Sequence, residues 1–161
     1  MSLTDIQLRP ATQADLDAIN RVIEAAVMTW DLPERVKRLS VSSYRYTGLD
    51  LKHLDMVVAE DASQGIVGVA AWEPADARDS PAGERTLLLH GIYVDPAQQR
   101  RGIGAALLRA AEQAAAEQHY SGLLVKAQED ATAFFIAQGM ERLPVEDAAR
   151  HYANRFWKRL A

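Results

Sequence analysis

Between Asp95 and Ala105 the chain reads Asp-Pro-Ala-Gln-Gln-Arg-Arg-Gly-Ile-Gly-Ala, a stretch whose residue types suit an anion. A nearly apolar run, Thr86 to Val94, stops at Pro96, a polar turn follows, and Gly102 and Gly104 open a long amphipathic run. The first turn of a helix carries N–H groups without intrahelical partners and the positive end of the helix dipole, which together attract phosphate. Missing side chains at Gly102 and Gly104 let a diphosphate approach the backbone, and Arg100 and Arg101 add charge beside it. The same residues also suit a glycine turn with two solvated arginines. The better-known nucleotide spacings, Gly-x-x-x-x-Gly-Lys-Ser/Thr and Gly-x-Gly-x-x-Gly, are not present.

His90 lies on the apolar run, four residues before Val94. An imidazole titrates near neutrality and suits proton transfer; a hydrogen-bonded core histidine is the other reading. Trp30 with Asp31, the pair Tyr44 and Tyr46, and Trp72 with Glu73 set aromatic rings near carboxylates, which suits a cationic amine. They equally suit core anchors and solvated charges. His53, His119 and His151 are expected at the surface. No two histidines stand at helical ligand spacing, so no metal site is expected. The chain has no cysteine, which excludes disulfides, thiolate sites and a cysteine nucleophile.

The elements that must position these residues follow from periodicity. Ile6 to Pro10 alternates as a first strand. Thr12 and Asp15 form a capping box before a helix carrying Leu16, Ile19, Ile23, Ala26 and Val27 on one face. Pro33 precedes a second helical stretch with Val36 and Leu39, and residues 40–54 read as loop and partial helix. Strands are expected at 56–59 and 65–72, joined by the polar turn 61–64. Thr86 to Val94 is the longest strand-like run, apolar as a central strand buried on both faces should be. A helix over 102–119 has Ile103, Leu107, Ala110, Ala111 and Ala114 as its apolar face, with Arg109, Glu112, Gln113 and Glu117 outside. A strand at 122–126, a helix at 129–138 ended by Gly139, and a last strand at 155–160 complete an α/β mixture with a mostly antiparallel sheet.

The composition narrows what such a chain can be. Its 161 residues are 48% hydrophobic and 25% charged with a net charge of -4, which indicates one folded domain, 1–161, with its own core. No apolar run approaches the ~18 residues of a membrane span. Met1 to Asp5 lacks the basic-then-apolar pattern of a secretion signal, so a cytoplasmic protein with no membrane partner is expected. A mildly acidic chain without a long basic block is poorly suited to nucleic acid.

Gln99-Arg100-Arg101-Gly102-Ile103-Gly104 matches the Gln/Arg-x-x-Gly-x-Gly/Ala signature of the GCN5-related N-acetyltransferase (GNAT) superfamily. Ala131-Thr132-Ala133-Phe134-Phe135-Ile136-Ala137-Gln138-Gly139-Met140 is similar to that family's second acetyl-CoA segment, Ala-x-x-Phe-Tyr-x-x-x-Gly-Phe, and the element order resembles it from Ile6 to Leu160. The resemblance implies a GNAT-type mixed sheet flanked by helices, acetyl-CoA as cofactor, and an acyltransferase acting on a small-molecule or peptide amine, with a homodimer as one arrangement found among relatives. By resemblance the N–H groups of Arg101 to Ala105, flanked by Gln99 and Arg100, hold the pyrophosphate. The pantetheine arm pairs with the strand ending at Val94, and the Ile92 N–H polarises the thioester carbonyl.

In this family an amine attacks the thioester directly. An alkylamine with pKa near 10 is about one part in a thousand neutral at pH 7, which costs ~4 kcal/mol, so a base is useful. His90 is the expected base and resembles the histidine of arylalkylamine N-acetyltransferases. Trp30, Asp31, Tyr44, Trp72 and Glu73 are the expected acceptor residues. Gln128 stands where relatives often carry asparagine, and Phe135 where many carry a proton-donating tyrosine. Tyr93, Tyr152 or water are the remaining donors. The central strand lacks the glutamate of the histone-acetylating pattern. The departure at Phe135 keeps open an acyl-CoA-binding sensor without turnover, and the loop alone also admits a nucleotide-binding module.

Overall fold

The computed structural model describes residues 5–149 and 151–160. Met1–Thr4, on which most of the secretion-signal expectation rests, lie outside that range. Seven strands hydrogen-bond in the order β1-β2-β3-β4-β5-β7-β6, where β1 is Ile6–Pro10, β2 Asp55–Asp61, β3 Gly65–Pro74, β4 Thr86–Val94, β5 Gly122–Lys126, β6 Glu141–Arg142 and β7 Arg155–Arg159. The helices are α1 (Leu16–Val27), α2 (Glu34–Tyr44), α3 (Gly48–His53), α4 (Ile103–Glu117) and α5 (Thr132–Ala137). The sheet is mostly antiparallel; β4 and β5 run parallel. Two compact units share these elements, one grouping the chain up to Ala71 with Gly91–Leu108, the other grouping Trp72–His90 with the chain from Arg109 onward.

In the first unit β1 pairs with β2 from Ile6↔Asp61 to Pro10↔Val57. The Thr12 N–H donates to Asp15 at 2.8 Å, the capping box read from sequence, and starts the chain into α1 through a short 3-10 turn. Leu16, Ile19, Ile23 and Val27 recur at helical spacing and bury against Met56, Val58, Val69 and Ala71. Each such side chain contributes about 1.5–3 kcal/mol on leaving water. α2 buries no residue completely; Val41 and Tyr44 touch that core, while Val36 and Leu39 are exposed. Residues 40–54, read as loop and partial helix, hold the end of α2 and the whole of α3. The capping box Thr47–Asp50 starts α3, with the Thr47 N–H donating to Asp50 at 2.8 Å.

In the second unit β5 is buried from Gly122 to Val125 and pairs with β7 from Gly122↔Arg159 to Lys126↔Arg155. Phe135 of α5 stacks on Phe156 of β7 at 6.4 Å between centroids. The expected helix over 129–138 is a 3-10 turn, Glu129–Ala131, followed by α5. Glu112, expected outside, is half-buried because Lys158 pairs with it at 3.1 Å. Along α4, whose residues up to Leu108 belong to the first unit, the buried residues are Ile103, Leu107, Leu108, Ala111 and Ala115, so Leu108 and Ala115 take the places expected of Ala110 and Ala114.

Candidate active site

β4 spans Thr86–Val94, as its composition indicated, but it is not buried throughout. Thr86, Leu87 and Leu89 are buried, His90 is exposed, and Gly91–Val94 are half-buried. Register with β5 runs from Thr86↔Gly122 to Leu89↔Val125, and β4 continues for five residues beyond its last registered pair. Ile92 and Val94, expected to meet the cofactor, lie in this continuation.

Asp95 caps the next turn by accepting from the Ala97 N–H at 2.9 Å, and its own N–H donates to Val67 at 2.8 Å, anchoring the end of β4 to β3. Gln99 and Arg100 are exposed. Arg100 and Gly102 both take left-handed backbone conformations, with φ of 67° and 77°. Glycine adopts this freely at 102; arginine does so at a cost of roughly 1–2 kcal/mol. α4 begins at Ile103, and the Ala106 N–H makes a helical bond to Gly102 at 3.0 Å. The N–H groups that precede it in the first turn have no intrahelical acceptor by construction, so this turn has the donors that a phosphate group requires.

One expectation is corrected. The Arg101 guanidinium, expected to add solvated charge beside the turn, is buried instead: it donates to Asp61 at 2.8 Å and to Gln98 at 2.7 Å with 5% of its side chain exposed. A buried carboxylate draws it inward, and Arg100 is the solvent-facing arginine of the turn.

Within the same unit Trp30 meets Tyr44 edge-on at 5.5 Å, and both pack against the core around α1. Asp31 is exposed. Tyr46 is 4% exposed; its backbone is clamped by Asn20, which accepts from the Tyr46 N–H at 2.8 Å and donates to the Tyr46 carbonyl at 2.9 Å. Its hydroxyl crosses β4 at Gly91, where a Cβ would lie 2.5 Å from Tyr46 Oη. Burial, and then the neighbouring Tyr44, push the Tyr93 phenol well above its ordinary range, which makes it a poor proton donor at neutral pH.

In the second unit His90 Nε2 stands 4.0 Å from Glu73 Oε2, with 41% and 35% of the side chains exposed. His90 is therefore a strand histidine facing solvent beside a carboxylate, not a buried core residue. Gln128 is half-buried at the end of β5, where its carbonyl accepts from the Ala131 N–H at 2.9 Å. Two expected contacts are corrected here. Trp72 is 4% exposed, and its ring belongs to the core rather than to an acceptor surface. Phe135 is 2% exposed between Phe134 and Phe156, which leaves it no surface to offer a cofactor. Of the remaining histidines, His53 and His119 are exposed and His151 is half-buried.

The sequence reading missed Asp61 and Gln98 as partners of the loop. The only local hint was that Asp61 is an acidic residue opening a turn, and nothing in the spacing linked it to Arg101, forty residues away. Among the described residues no group of His, Cys, Asp and Glu is arranged to hold a metal, and no helix is long and apolar enough to cross a membrane.

The chain is 29% identical over 104 residues to mouse N-acetyltransferase 8F1, a match covering 63% of this chain and 43% of that longer protein. The fold is similar to that of a GCN5-related N-acetyltransferase from Rhodopseudomonas palustris, with a TM-score of 0.75, 22% identity and 99% of each chain covered. It is also similar to a GNAT-family acetyltransferase from Brucella melitensis solved with acetyl-CoA, with a TM-score of 0.66, 20% identity, and 97% and 88% of the two chains covered. The model of the acetyltransferase (GNAT) family matches residues 24–140. That match takes in β4, the glycine turn and α4, and with it the chain belongs to the GNAT acetyltransferase family.

Proposed function

We propose that this chain is an acetyl-CoA-dependent N-acetyltransferase acting on a primary amine of a small molecule or peptide. The observation that carries the reading is the turn Arg100-Arg101-Gly102, with left-handed residues at 100 and 102, opening α4 directly after β4. The Brucella relative was solved with acetyl-CoA, and this chain carries the family's loop signature at residues 99–104. The acetyltransferase domain is assigned to residues 1–161, because β1 and β7, which flank the matched segment, are strands of the same sheet.

Bound acetyl-CoA supplies an acetyl group activated as a thioester. The N–H groups of Arg101 to Ala105 hold the pyrophosphate, with Gln99 and Arg100 beside them and Gln128 offering its amide to the same ligand. β4 from Ile92 to Val94 would pair with the pantetheine arm, and the Ile92 N–H would donate to the acyl oxygen. A single donor of this kind is worth roughly 2.7–4 kcal/mol. Trp30, Asp31 and Tyr44 receive the acceptor. His90 takes the proton from its ammonium, and Glu73 orients the imidazole. Transfer of the acetyl group to the amine nitrogen would release the thiolate of coenzyme A. Since Phe135 has no hydroxyl and burial makes Tyr93 a poor donor, Tyr152 or water is left to protonate the departing thiolate.

A panel of amines offered with acetyl-CoA, with free thiol as the readout, tests this reading. Thiol release that depends on the amine, with matching acetylated product, is the expected result. Coenzyme A binding without release for any amine would indicate the sensor instead.

A further inference from the structure

Asp61 ends β2 and opens the β2–β3 turn, and its two carboxylate oxygens are divided between two tasks. Oδ1 accepts from the Ser63 N–H at 2.8 Å, the Ser63 hydroxyl at 2.9 Å and the Gln64 N–H at 3.0 Å, which forms the turn. Oδ2 accepts from Arg101 Nη1 at 2.8 Å, and only 4% of the Asp61 side chain is exposed. These donors hold the carboxyl well below the usual carboxylate range, so the pair stays charged wherever the protein is folded near neutrality.

The loop at the other end of this contact needs a hold. Arg100 is a non-glycine residue in the left-handed region, and Gly102 is left-handed too. Such a turn persists only where its surroundings over-determine it. Arg100 is exposed and Gly102 has no side chain, which leaves Arg101 as the side chain that ties the turn inward. Gln98 completes the tie by accepting at 2.7 Å from the same nitrogen.

We propose that Asp61 is a positioning residue for coenzyme A: through Arg101 it holds the 99–102 turn in the conformation that presents the N-terminus of α4 to the pyrophosphate, without touching the ligand. This rests on the functional reading above. The energetic logic is preorganisation, in which the donors are fixed before the ligand arrives.

Asp61→Asn keeps the shape and one oxygen for the turn donors and removes the charge. Coenzyme A is the probe, titrated by calorimetry into the full chain, alongside amide hydrogen exchange of residues 99–105 without ligand. Asp61→Asn should raise the Kd for coenzyme A by roughly tenfold or more, the loss of one charge-assisted contact. Exchange should quicken at 99–105 while that of α1 stays as it was, and the acetyl-CoA KM should rise without a matching rise in the amine KM. Gln98→Ala should act in the same direction, more weakly, and decides the matter if Asp61→Asn does not fold. A folded variant with wild-type Kd overturns the role of Asp61. So does a loss in which exchange quickens throughout and both KM values rise together. A wild-type chain that binds no coenzyme A overturns the functional reading itself, and this inference with it.

Discussion

Glu73→Gln separates what His90 does from what its neighbour does. At 4.0 Å two unit charges attract by about 1 kcal/mol in water and about 4 kcal/mol at an effective dielectric of 20. With 41% and 35% of the side chains exposed, the pair belongs near the first limit, where exposed ion pairs contribute about 0.2–1 kcal/mol. Losing Glu73 should therefore lower kcat/KM for the amine by no more than about fivefold. His90→Ala removes the proposed proton acceptor and should cost about 10²–10⁴-fold in kcat, while leaving coenzyme A affinity nearly as it was. The assay is thiol release at saturating acetyl-CoA, first near pH 7 and then near the amine pKa. There the His90→Ala deficit should shrink, because the amine no longer needs deprotonation. In the double variant the Glu73 change should add nothing to His90→Ala, since the proposed role of Glu73 runs through the imidazole. A Glu73→Gln variant slower than His90→Ala, or a further loss in the double variant, would refute the assignment and make Glu73 itself the base.

Gly91→Ala sets a methyl group 2.5 Å from Tyr46 Oη and should lower stability by about 1–3 kcal/mol, read as a fall in Tm; an unchanged Tm would mean that Tyr46 moves freely off β4. Phe135→Tyr adds a hydroxyl to a ring that is 2% exposed, and a buried hydroxyl without a partner costs about 1–3 kcal/mol, so Tm should fall with no gain in turnover. A rise in turnover would show that the ring edge reaches the leaving thiolate after all. The Arg9 guanidinium bonds both Asp15 oxygens, at 2.8 and 2.9 Å, and holds that carboxyl at about 2. Its folded value lies below the ordinary 3.8, so this contribution is present above pH ~4 and is lost as pH falls through about 2. Asp15→Asn should accordingly lower Tm at neutral pH and flatten the dependence of Tm on pH between those values.

Where periodicity and punctuation agree, the chain declares its own structure. β4 and β5 lie where the apolar runs predict them, α1 begins behind the capping box at Thr12, and α4 follows the glycine turn. α3 carries the same kind of signal at Thr47–Asp50, but six residues are too short for an apolar period to show. The two-residue strand β6 gives even less pattern. At the site, residue types indicated which groups have chemistry to offer but not which way they face. Trp72 and Phe135 turn into cores, Arg101 turns to Asp61, and His90 turns out to solvent, because long-range packing decides each of these directions. The Asp61–Arg101 contact joins residues forty apart, and no local rule reaches that far.

Calorimetric titration of the chain with acetyl-CoA and, separately, with ATP, repeated on Gly104→Val, tests the central claim most directly. The account predicts one acetyl-CoA site, no comparable ATP site, and a sharp loss of acetyl-CoA affinity in the folded variant, whose side chain blocks the approach to the turn. At a free acetyl-CoA concentration near 100 times its Kd, the wild-type chain should also gain ~2.7 kcal/mol of stability. Equal acetyl-CoA affinity in wild type and folded Gly104→Val, or tighter binding of ATP, would contradict it.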